Sequence, residues 1–312
     1  MRNHHVRGAF LSSVFIAFIL LQTGEIALGA PPPGTDAQKE SVVTAGSPNF
    51  VPNAVALQMP SLVLNALDQN SPKKAGFRFR YPSMGSDASY KTFSDDSPGG
   101  FSGSDYSFSL SGDADVYDGW LAGVVYGHVD RQARDGNGTS SQTEDHYCTL
   151  YLAKQYFGFW NVGGYFLYDS SESRLTGATT LNLDSSTDGY TIYTGVSKAW
   201  GKFSASVTTS YVWNNQEVPT DYFQSLTFVW SNGVGYRITE RWSAGFNGSF
   251  SITALPDGYV NSPIRDSQSW TFGPRLSYKA TDRLSLSLSY GITDGPSQFN
   301  AQTIRLGVGY QF

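Results

Sequence analysis

Two histidines and two carboxylates flank one polar stretch of the chain and could do chemistry together. His128 and Asp130 leave one predicted strand, and Glu144 and His146 enter the next. In a symmetric hairpin His128 lies opposite His146 and Asp130 opposite Glu144, with paired side chains about 5 Å apart. Imidazole and carboxylate groups at that separation suit a divalent metal ion or a coupled acid and base. The alternative is that all four are polar residues near the rim and hold no ligand.

The rest of the chain offers little for catalysis. His128 and His146 are the only histidines after residue 29, and no serine beside them lies in a recognisable nucleophile motif. Asp95 and Asp96 form an acid pair, but they lie in a Gly- and Ser-rich stretch typical of a solvated turn. Cys148 is the single cysteine, so no internal disulfide or zinc-type spacing is available. The sequence therefore predicts a protein that is not an enzyme and has no cofactor.

Strict alternation of apolar and polar residues defines the elements that carry these groups. In the stretches 203–213, 242–254 and 284–292, aromatic or aliphatic residues alternate with serine, threonine and asparagine. One strand face is therefore apolar and the other small and polar, as in a barrel with lipid outside and water inside. Aromatic residues gather at strand ends, where an amphipathic ring favours the headgroup region. They are Trp160, Trp200, Phe203, Trp213, Trp242, Trp270, Tyr290 and Tyr310.

Composition agrees with a closed antiparallel transmembrane β-barrel. The 312 residues are 15% aromatic and 15% charged, with a net charge of -5 and a mean hydropathy of -0.28. Strands that face lipid on one side and water on the other give such an average. No long apolar run follows residue 30, so no spanning helix is predicted in the mature chain. The net charge gives no argument for binding nucleic acid.

Connections of alternating length set the predicted topology. Short connections are predicted near 158 and at 201–202, 239–240 and 281–282, and longer ones at 131–143, 174–188, 214–221, 255–267 and 294–301. Twelve strands are predicted, starting near residues 76, 104, 119, 144, 160, 188, 203, 221, 241, 268, 283 and 302. Since no sheet edge can face hydrocarbon, the ring must close, and an even count puts both ends on the periplasmic side. The stretch 221–238 is long enough for a bulge or an extension beyond the bilayer.

The first strand is predicted to pair with the last and to carry two inward arginines. Arg78 and Arg80 alternate with Phe77, Phe79 and Tyr81. Further inward basic candidates are Arg275, Lys279 and Arg305. A basic lumen lowers the barrier for anionic solutes, although the same residues could instead form ion pairs that stiffen the wall. Twelve strands lie between the filled barrels of about eight strands and the open ones of roughly sixteen, which predicts a narrow pore.

The chain before the barrel divides into two predicted segments. Residues 1–29 have a basic start, a short apolar core and small residues at a cleavage site, as in a secretory signal peptide. Residues 30–74 open with three prolines and contain a helix-compatible patch at 57–67. This segment is either a periplasmic tail or a plug inside the pore. Residues 75–312 make the barrel.

The last nine residues, IRLGVGYQF, end the chain on an aromatic side chain. They resemble the C-terminal signature of bacterial outer-membrane barrels, in which Tyr310 and Phe312 would be read by the barrel insertion machinery. The stretch GWLAGVVYG at 119–127, with the strands at 147–157 and 160–166, resembles the autotransporter β-domain. The resemblance covers roughly residues 75–312 and implies an outer-membrane barrel of twelve strands, a segment threaded through the pore, and an exported passenger.

Residues 30–74 are too few for an ordinary passenger domain, so the predicted function is a narrow pore for translocation or solute passage. One alternative is a small porin that prefers anionic solutes. Another is a structural or adhesive surface protein that acts through loops 131–143, 174–188 and 255–267. The expected partners are outer-membrane lipid, the insertion machinery and small anionic solutes, with no nucleic acid.

Overall fold

The computed structural model describes residues 80–95, 100–136, 138–177, 180–218, 221–254, 267–295 and 299–312. They form twelve antiparallel strands in a closed ring, in which neighbours in sequence are neighbours in space and β1 pairs with β12. No helix in this part of the chain is long and apolar enough to cross a membrane. The predicted all-β barrel of about twelve strands is confirmed.

The strands differ in length around the ring. They are β1 (Arg80–Asp95), β2 (Phe101–Tyr117), β3 (Trp120–Asp135), β4 (Ser140–Tyr156), β5 (Trp160–Thr176), β6 (Thr180–Trp200), β7 (Phe203–Val218), β8 (Asp221–Arg237), β9 (Trp242–Ala254), β10 (Ser267–Lys279), β11 (Leu284–Asp294) and β12 (Phe299–Gln311). A tilted strand needs about 9–11 residues to cross a bilayer. Since β4 has 17 residues and β6 has 21, this side of the barrel extends beyond the membrane.

Several stretches that the sequence predicted to be long loops are instead the extended ends of strands. β3 continues to Asp135 and β4 begins at Ser140, and the next hairpin turns between Thr176 and Thr180. Polar residues such as Asp130 and Gln132 therefore lie in paired strands, whose backbone groups bond to a neighbour while both faces meet water. The prediction of loops over 131–143, 174–188 and 214–221 was wrong for this reason. The predicted loop 255–267 lies almost entirely outside the described residues.

The opposite end of the barrel has the short turns that the sequence predicts. Asp118 (φ 45°) and Gly119 (φ 74°) join β2 to β3, and Phe157 (φ 55°) and Gly158 (φ 72°) lie at the next such turn. Two successive left-handed residues suit tight hairpins, because their twist matches that of the strands. β8 runs to Arg237 with no register shift against either neighbour, so the bulge considered for 221–238 is absent.

The outer face of the barrel is apolar and bounded by aromatic residues. Leu150, Leu306 and Val308 face outward with about half of their surface exposed. On the short-turn side, cross-strand ring pairs include Trp242–Tyr278 (4.6 Å) and Phe203–Tyr236 (4.9 Å). On the other side they include Tyr90–Tyr106 (4.7 Å) and Phe250–Trp270 (4.2 Å). These are the two aromatic girdles of a membrane-spanning barrel.

The ladder between β10 and β11 is interrupted at one point. Phe272 pairs with Ile292 and Arg275 with Ser289, but Gly273 and Pro274 have no paired residue on β11. Proline has no N–H to donate, and a Cβ at Gly273 would overlap the carbonyl oxygen of Tyr290. Pairing with β9 continues through both residues. The interruption therefore lies directly beside the inward residue Arg275, and the register is the same on both sides of it.

Candidate functional site in the barrel lumen

The inward side chains give the lumen two different walls. The first, which we call the tyrosine wall, is a buried cluster mostly on β3 to β7. Its members are Leu121, Val125, Val129, Tyr147, Tyr151, Ala153, Tyr165, Leu167, Tyr193, Val212 and Val229. The second, which we call the serine wall, lies on β9 to β12 and has mostly small polar or absent side chains. Its inward residues include Ser243, Ser249, Ser251, Ser269, Ser277, Ser285, Ser287, Ser289 and Gly307.

Glycines set the shape of the tyrosine wall. The ring of Tyr147 lies where a Cβ on Gly127 would be, and the ring of Tyr151 lies in the same way over Gly123. Both glycines belong to β3 and face the tyrosines on β4 through the cross-strand register. Because the rings lie along the wall, they fill its inner surface without crossing the lumen. Together with the serine wall, this leaves the inner surface polar on one side and aromatic on the other.

Charged side chains of both signs point into the lumen. The inward bases of the described strands include Lys91, Arg131, Arg275 and Arg305, and the inward acids include Asp87, Asp105, Asp113, Asp145 and Asp169. The expectation of a basic lumen with few inward acids is therefore wrong for these residues. The signal was present in the sequence, because Asp145 has the parity of Tyr147 and Tyr151, opposite to that of Leu150 and Leu152.

Two of the inward acids, Asp105 and Asp113, accept hydrogen bonds from different kinds of side chain. Asp105 accepts a hydrogen bond from Arg131 Nε (2.9 Å), and Lys91 Nζ lies 3.7 Å from its other oxygen. Asp113 accepts bonds from Ser83 Oγ (2.7 Å) and Tyr151 Oη (2.8 Å). Arg131, which was not among the predicted basic residues, thus forms a buried ion pair with Asp105.

The arginines of the serine wall form a second charged group. Ser289 on β11 pairs with Arg275 on one side and with Arg305 on the other, so the two arginines flank the same serine in the sheet. Asp87 lies beside them, with its carboxylate over Gly307 at 2.6 Å from the position of a Cβ. Since β10 and β4 lie on opposite sides of a ring of twelve, these bases face the wall that carries Asp145.

The other predicted basic residues lie elsewhere. Lys279 ends β10 at the short-turn rim, where its ammonium lies 3.0 Å from Asp282, and both side chains are largely exposed. The hydrogen bond from Lys279 lowers the pKa of the Asp282 carboxyl. Arg80 lies opposite Asp115 in the register, before a shift between Arg80 and Ser83. Arg78 and the segments predicted at 1–29 and 30–74 lie outside the described residues.

The predicted histidine hairpin forms, but on the outer surface. His128 pairs with His146 and Asp130 with Glu144, as the symmetric hairpin predicts. The imidazole rings are 4.6 Å apart, and Tyr126 Oη lies 3.1 Å from His146 Nδ1. Yet no three His, Cys, Asp or Glu side chains in the described ranges could together hold a metal ion. The metal site is therefore not formed, and these four residues are polar groups just beyond the outer aromatic girdle.

The C-terminal strand presents its aromatic residues to the outside. Tyr310 pairs with Leu284 on β11, and its ring meets that of Phe312 edge-on at 5.0 Å. Phe312 has 57% of its surface exposed. Both residues thus lie at the short-turn end of the outer face, where a membrane-assembly factor can reach them.

Comparison with known proteins decides the class of barrel. The chain is similar to the translocator domain of autotransporter NalP from Neisseria meningitidis, with a TM-score of 0.67, 11% identity, and 87% of this chain and 100% of that chain covered. It is also similar to the COG4313 outer membrane channel from Pseudomonas putida F1, with a TM-score of 0.55, 11% identity, and coverage of 78% and 99%. The chain has the fold of bacterial outer-membrane β-barrels. The resemblance to autotransporter β-domains is confirmed at the level of the fold.

Two further comparisons concern the fold and the sequence of this barrel. The β-domain of the Bordetella autotransporter BrkA is similar, with a TM-score of 0.61, 12% identity, and coverage of 75% and 100%. A sequence model of the family described as "Putative MetA-pathway of phenol degradation" matches residues 179–306, which include most of the serine wall. Comparison with curated protein sequences finds no match.

Proposed function

We propose that the barrel is a narrow channel for small polar solutes, delivered to the outer membrane by a cleaved signal peptide and acting in transport rather than catalysis. The observation that carries this proposal is the serine wall. Serine and glycine on β9 to β12 leave space and hydrogen-bonding groups along one side of the lumen, with Arg275 and Arg305 as its charges. A lumen that is filled as a core would need large apolar residues on this side as well.

Charges of opposite sign lie on facing walls of the lumen, and they predict how the channel orients its solutes. Arg275 and Arg305 lie on one wall, while Asp145 and Asp169 lie on the other. A solute that carries separated charges, or that is strongly dipolar, is oriented in such a transverse field, since fixed charges act strongly in a narrow, weakly screened space. The similarity to a solved outer-membrane channel and the phenol-degradation family match both support solute uptake.

Planar-bilayer recordings test this proposal. The refolded mature chain should conduct, and the double substitution Arg275→Gln and Arg305→Gln should lower the permeability of chloride relative to potassium. Removing two positive charges from the lumen raises the barrier for anions, whereas it does not narrow the pore. The control is Lys279→Gln, which removes a positive charge at the rim. A silent wild-type chain would contradict the channel, and an equal effect of Lys279→Gln would contradict the role of the two arginines.

Translocation is the second candidate function. It is favoured by the similarity of the fold to an autotransporter translocator domain over 87% of this chain. In this case residues 30–74 occupy the pore. Conductance of the mature chain and of a chain without residues 30–74 separates the candidates, because a plug closes the first and not the second. Equal conductance of both supports the solute channel, and conductance of the truncated chain alone supports translocation.

A further inference from the structure

Two arginines of the lumen have N–H donors that no other side chain uses. Arg275 on β10 and Arg305 on β12 face inward, and both pair with Ser289, which lies between them on β11. Within the described part of the chain, neither arginine side chain forms a hydrogen bond or an ion pair. The fork of donors on a guanidinium matches the two oxygens of a carboxylate. These donors are therefore open to an anion in the lumen.

One carboxylate offsets part of the charge of this arginine pair. Asp87 on β1 interacts electrostatically with both arginines, although among the described residues it forms an ion pair with neither. Asp87 pairs with Gly307, two residues from Arg305 on the same inward face. The two arginines and Asp87 together carry one positive charge. A monovalent anion neutralises them, whereas a divalent anion leaves one negative charge in excess.

The register of the closed sheet shows what lies across the lumen from these arginines. From Arg305, six steps from paired residue to paired residue lead through β11, β10, β9, β8 and β7 to Ala199 on β6. Six steps the other way, through β1 to β5, lead to Ser185 on the same strand. The two routes climb the tilted sheet in opposite senses. The position on β6 that is level with Arg305 therefore lies midway between their ends, at Ile192.

The residues next to this position belong to the tyrosine wall or pair with it. Ile192 faces outward, and its inward neighbours on β6 are Thr191 and Tyr193. The ring of Tyr193 lies along the wall over Gly163, so one face of the ring is turned toward the lumen. Tyr165 on β5 pairs with Thr191 and adds a second ring near the same level. The arginine pair therefore faces an aromatic surface across the lumen.

The width of the barrel suits a solute of one ring better than a simple ion. Twelve strands about 4.8 Å apart and tilted by about 40° make a ring roughly 24 Å across between opposite backbones. The long arginines on one wall and the tyrosine rings on the other narrow this width to a gap that a small molecule spans. A carboxylate on a planar ring reaches the arginines at one end and a tyrosine face at the other. A simple anion contacts the arginines alone.

We propose that Arg275, Ser289 and Arg305 bind the carboxylate of an aromatic monocarboxylate, whose ring lies toward the tyrosine wall. The inference rests on the proposed channel, because it names the class of solute that the channel takes up. The two guanidinium groups donate charge-assisted hydrogen bonds to the carboxylate, and the serine hydroxyl donates another. The tyrosine rings pack on the ring of the solute. A neutral aromatic molecule lacks the first contact, and a small aliphatic acid lacks the second.

Fluorine NMR of 4-fluorobenzoate with the refolded mature chain in detergent tests this site without reference to conduction. Binding broadens the fluorine resonance, and the dependence of the width on protein concentration gives the dissociation constant. The double substitution Arg275→Gln and Arg305→Gln should raise this constant by about tenfold or more, because both charged donors to the carboxylate are lost. Tyr193→Leu should raise it by about threefold, because a ring contact is lost while the carboxylate contacts stay.

Lys279→Gln is the matched control, since it removes a positive charge at the rim and should leave the dissociation constant unchanged. In the wild type, benzoate should displace 4-fluorobenzoate at concentrations at which benzamide and acetate do not. Equal displacement by acetate would overturn the aromatic class of solute, and equal displacement by benzamide would overturn the carboxylate contact. An unchanged dissociation constant in the double variant would overturn the site. Should that variant fail to refold, the competition in the wild type decides.

Failure of this site and failure of the channel give different results. A chain that conducts in bilayers but leaves the 4-fluorobenzoate resonance narrow contradicts the site and keeps the channel. A chain that broadens the resonance but is silent in bilayers contradicts the channel and keeps the binding site.

Discussion

The substitution Phe312→Ser should remove most of the assembled barrel from the outer membrane of expressing cells, while refolding in detergent stays unchanged. Phe312 is exposed at the end of β12, and its ring contacts only Tyr310 among the aromatic residues that the structure describes. Its loss therefore costs little packing. The C-terminal aromatic resembles the signal that barrel insertion machinery reads, so the effect is expected on assembly and not on stability. Heat-modifiable migration of the barrel in gels of outer-membrane fractions measures the assembled amount.

Phe203→Ser is the control for this experiment. Phe203 has 63% of its surface exposed in the same girdle on the short-turn side, but it begins β7 within the chain. It should lower the assembled amount far less than Phe312→Ser does. Equal losses in the two variants would show that Phe312 acts as one more girdle residue and not as a terminal signal.

The substitution Leu306→Arg should lower the free energy of unfolding of the refolded barrel in lipid by about 2–4 kcal/mol. Leu306 is 58% exposed on the outer face of β12, and it pairs with Ala88 on β1 and Leu288 on β11, which also face outward. It lies halfway along the strand, so an arginine there is placed near the middle of the bilayer, where its charge is poorly solvated. Urea unfolding in vesicles, followed by tryptophan fluorescence, measures the change.

Ser287→Arg is the matched control at nearly the same depth. Ser287 pairs with Gly307 on β12 and faces the lumen, where Asp87 lies beside Gly307. The new arginine lies in the polar lumen beside the Asp87 carboxylate, with Arg275 and Arg305 nearby, so we expect a clearly smaller loss than in Leu306→Arg. Similar losses in the two variants would contradict the assignment of the two faces.

The strands of the barrel wall could be predicted, because their pattern depends on residues that are close together in the sequence. Serine alternating with leucine from Leu284 to Ile292 tells which face meets lipid, and the stretches 203–213 and 242–254 show a similar pattern. Closure of β1 on β12 follows from the cost of an open edge in hydrocarbon. The hairpin that pairs His128 with His146 was also correct, since its register depends only on the residues next to the turn.

The lumen and the strand ends were harder to predict for physical reasons. Beyond the membrane both faces of a strand are polar. Paired residues such as Asp130 and Glu144 therefore have a sequence pattern that is typical of a loop. Inside the barrel, the environment of a charge depends on strands distant in sequence. Arg131 and Asp105 lie 26 residues apart, and only the register shows that they bond. The side-chain oxygen of Asn214 lies over Gly189, and alternation alone does not reveal this contact.

Spin labels on β11 test the central claim that lipid lies outside this wall and water inside. Single cysteines replace Leu286, Ser287, Leu288 and Ser289 in a Cys148→Ser chain, and each is labelled and refolded in vesicles. The labels at 286 and 288 should collide mainly with oxygen, which concentrates in lipid, and those at 287 and 289 mainly with a water-soluble nickel complex. This alternation with a period of two is the result that the barrel predicts. Equal access to the nickel complex at all four positions would contradict a membrane-spanning strand.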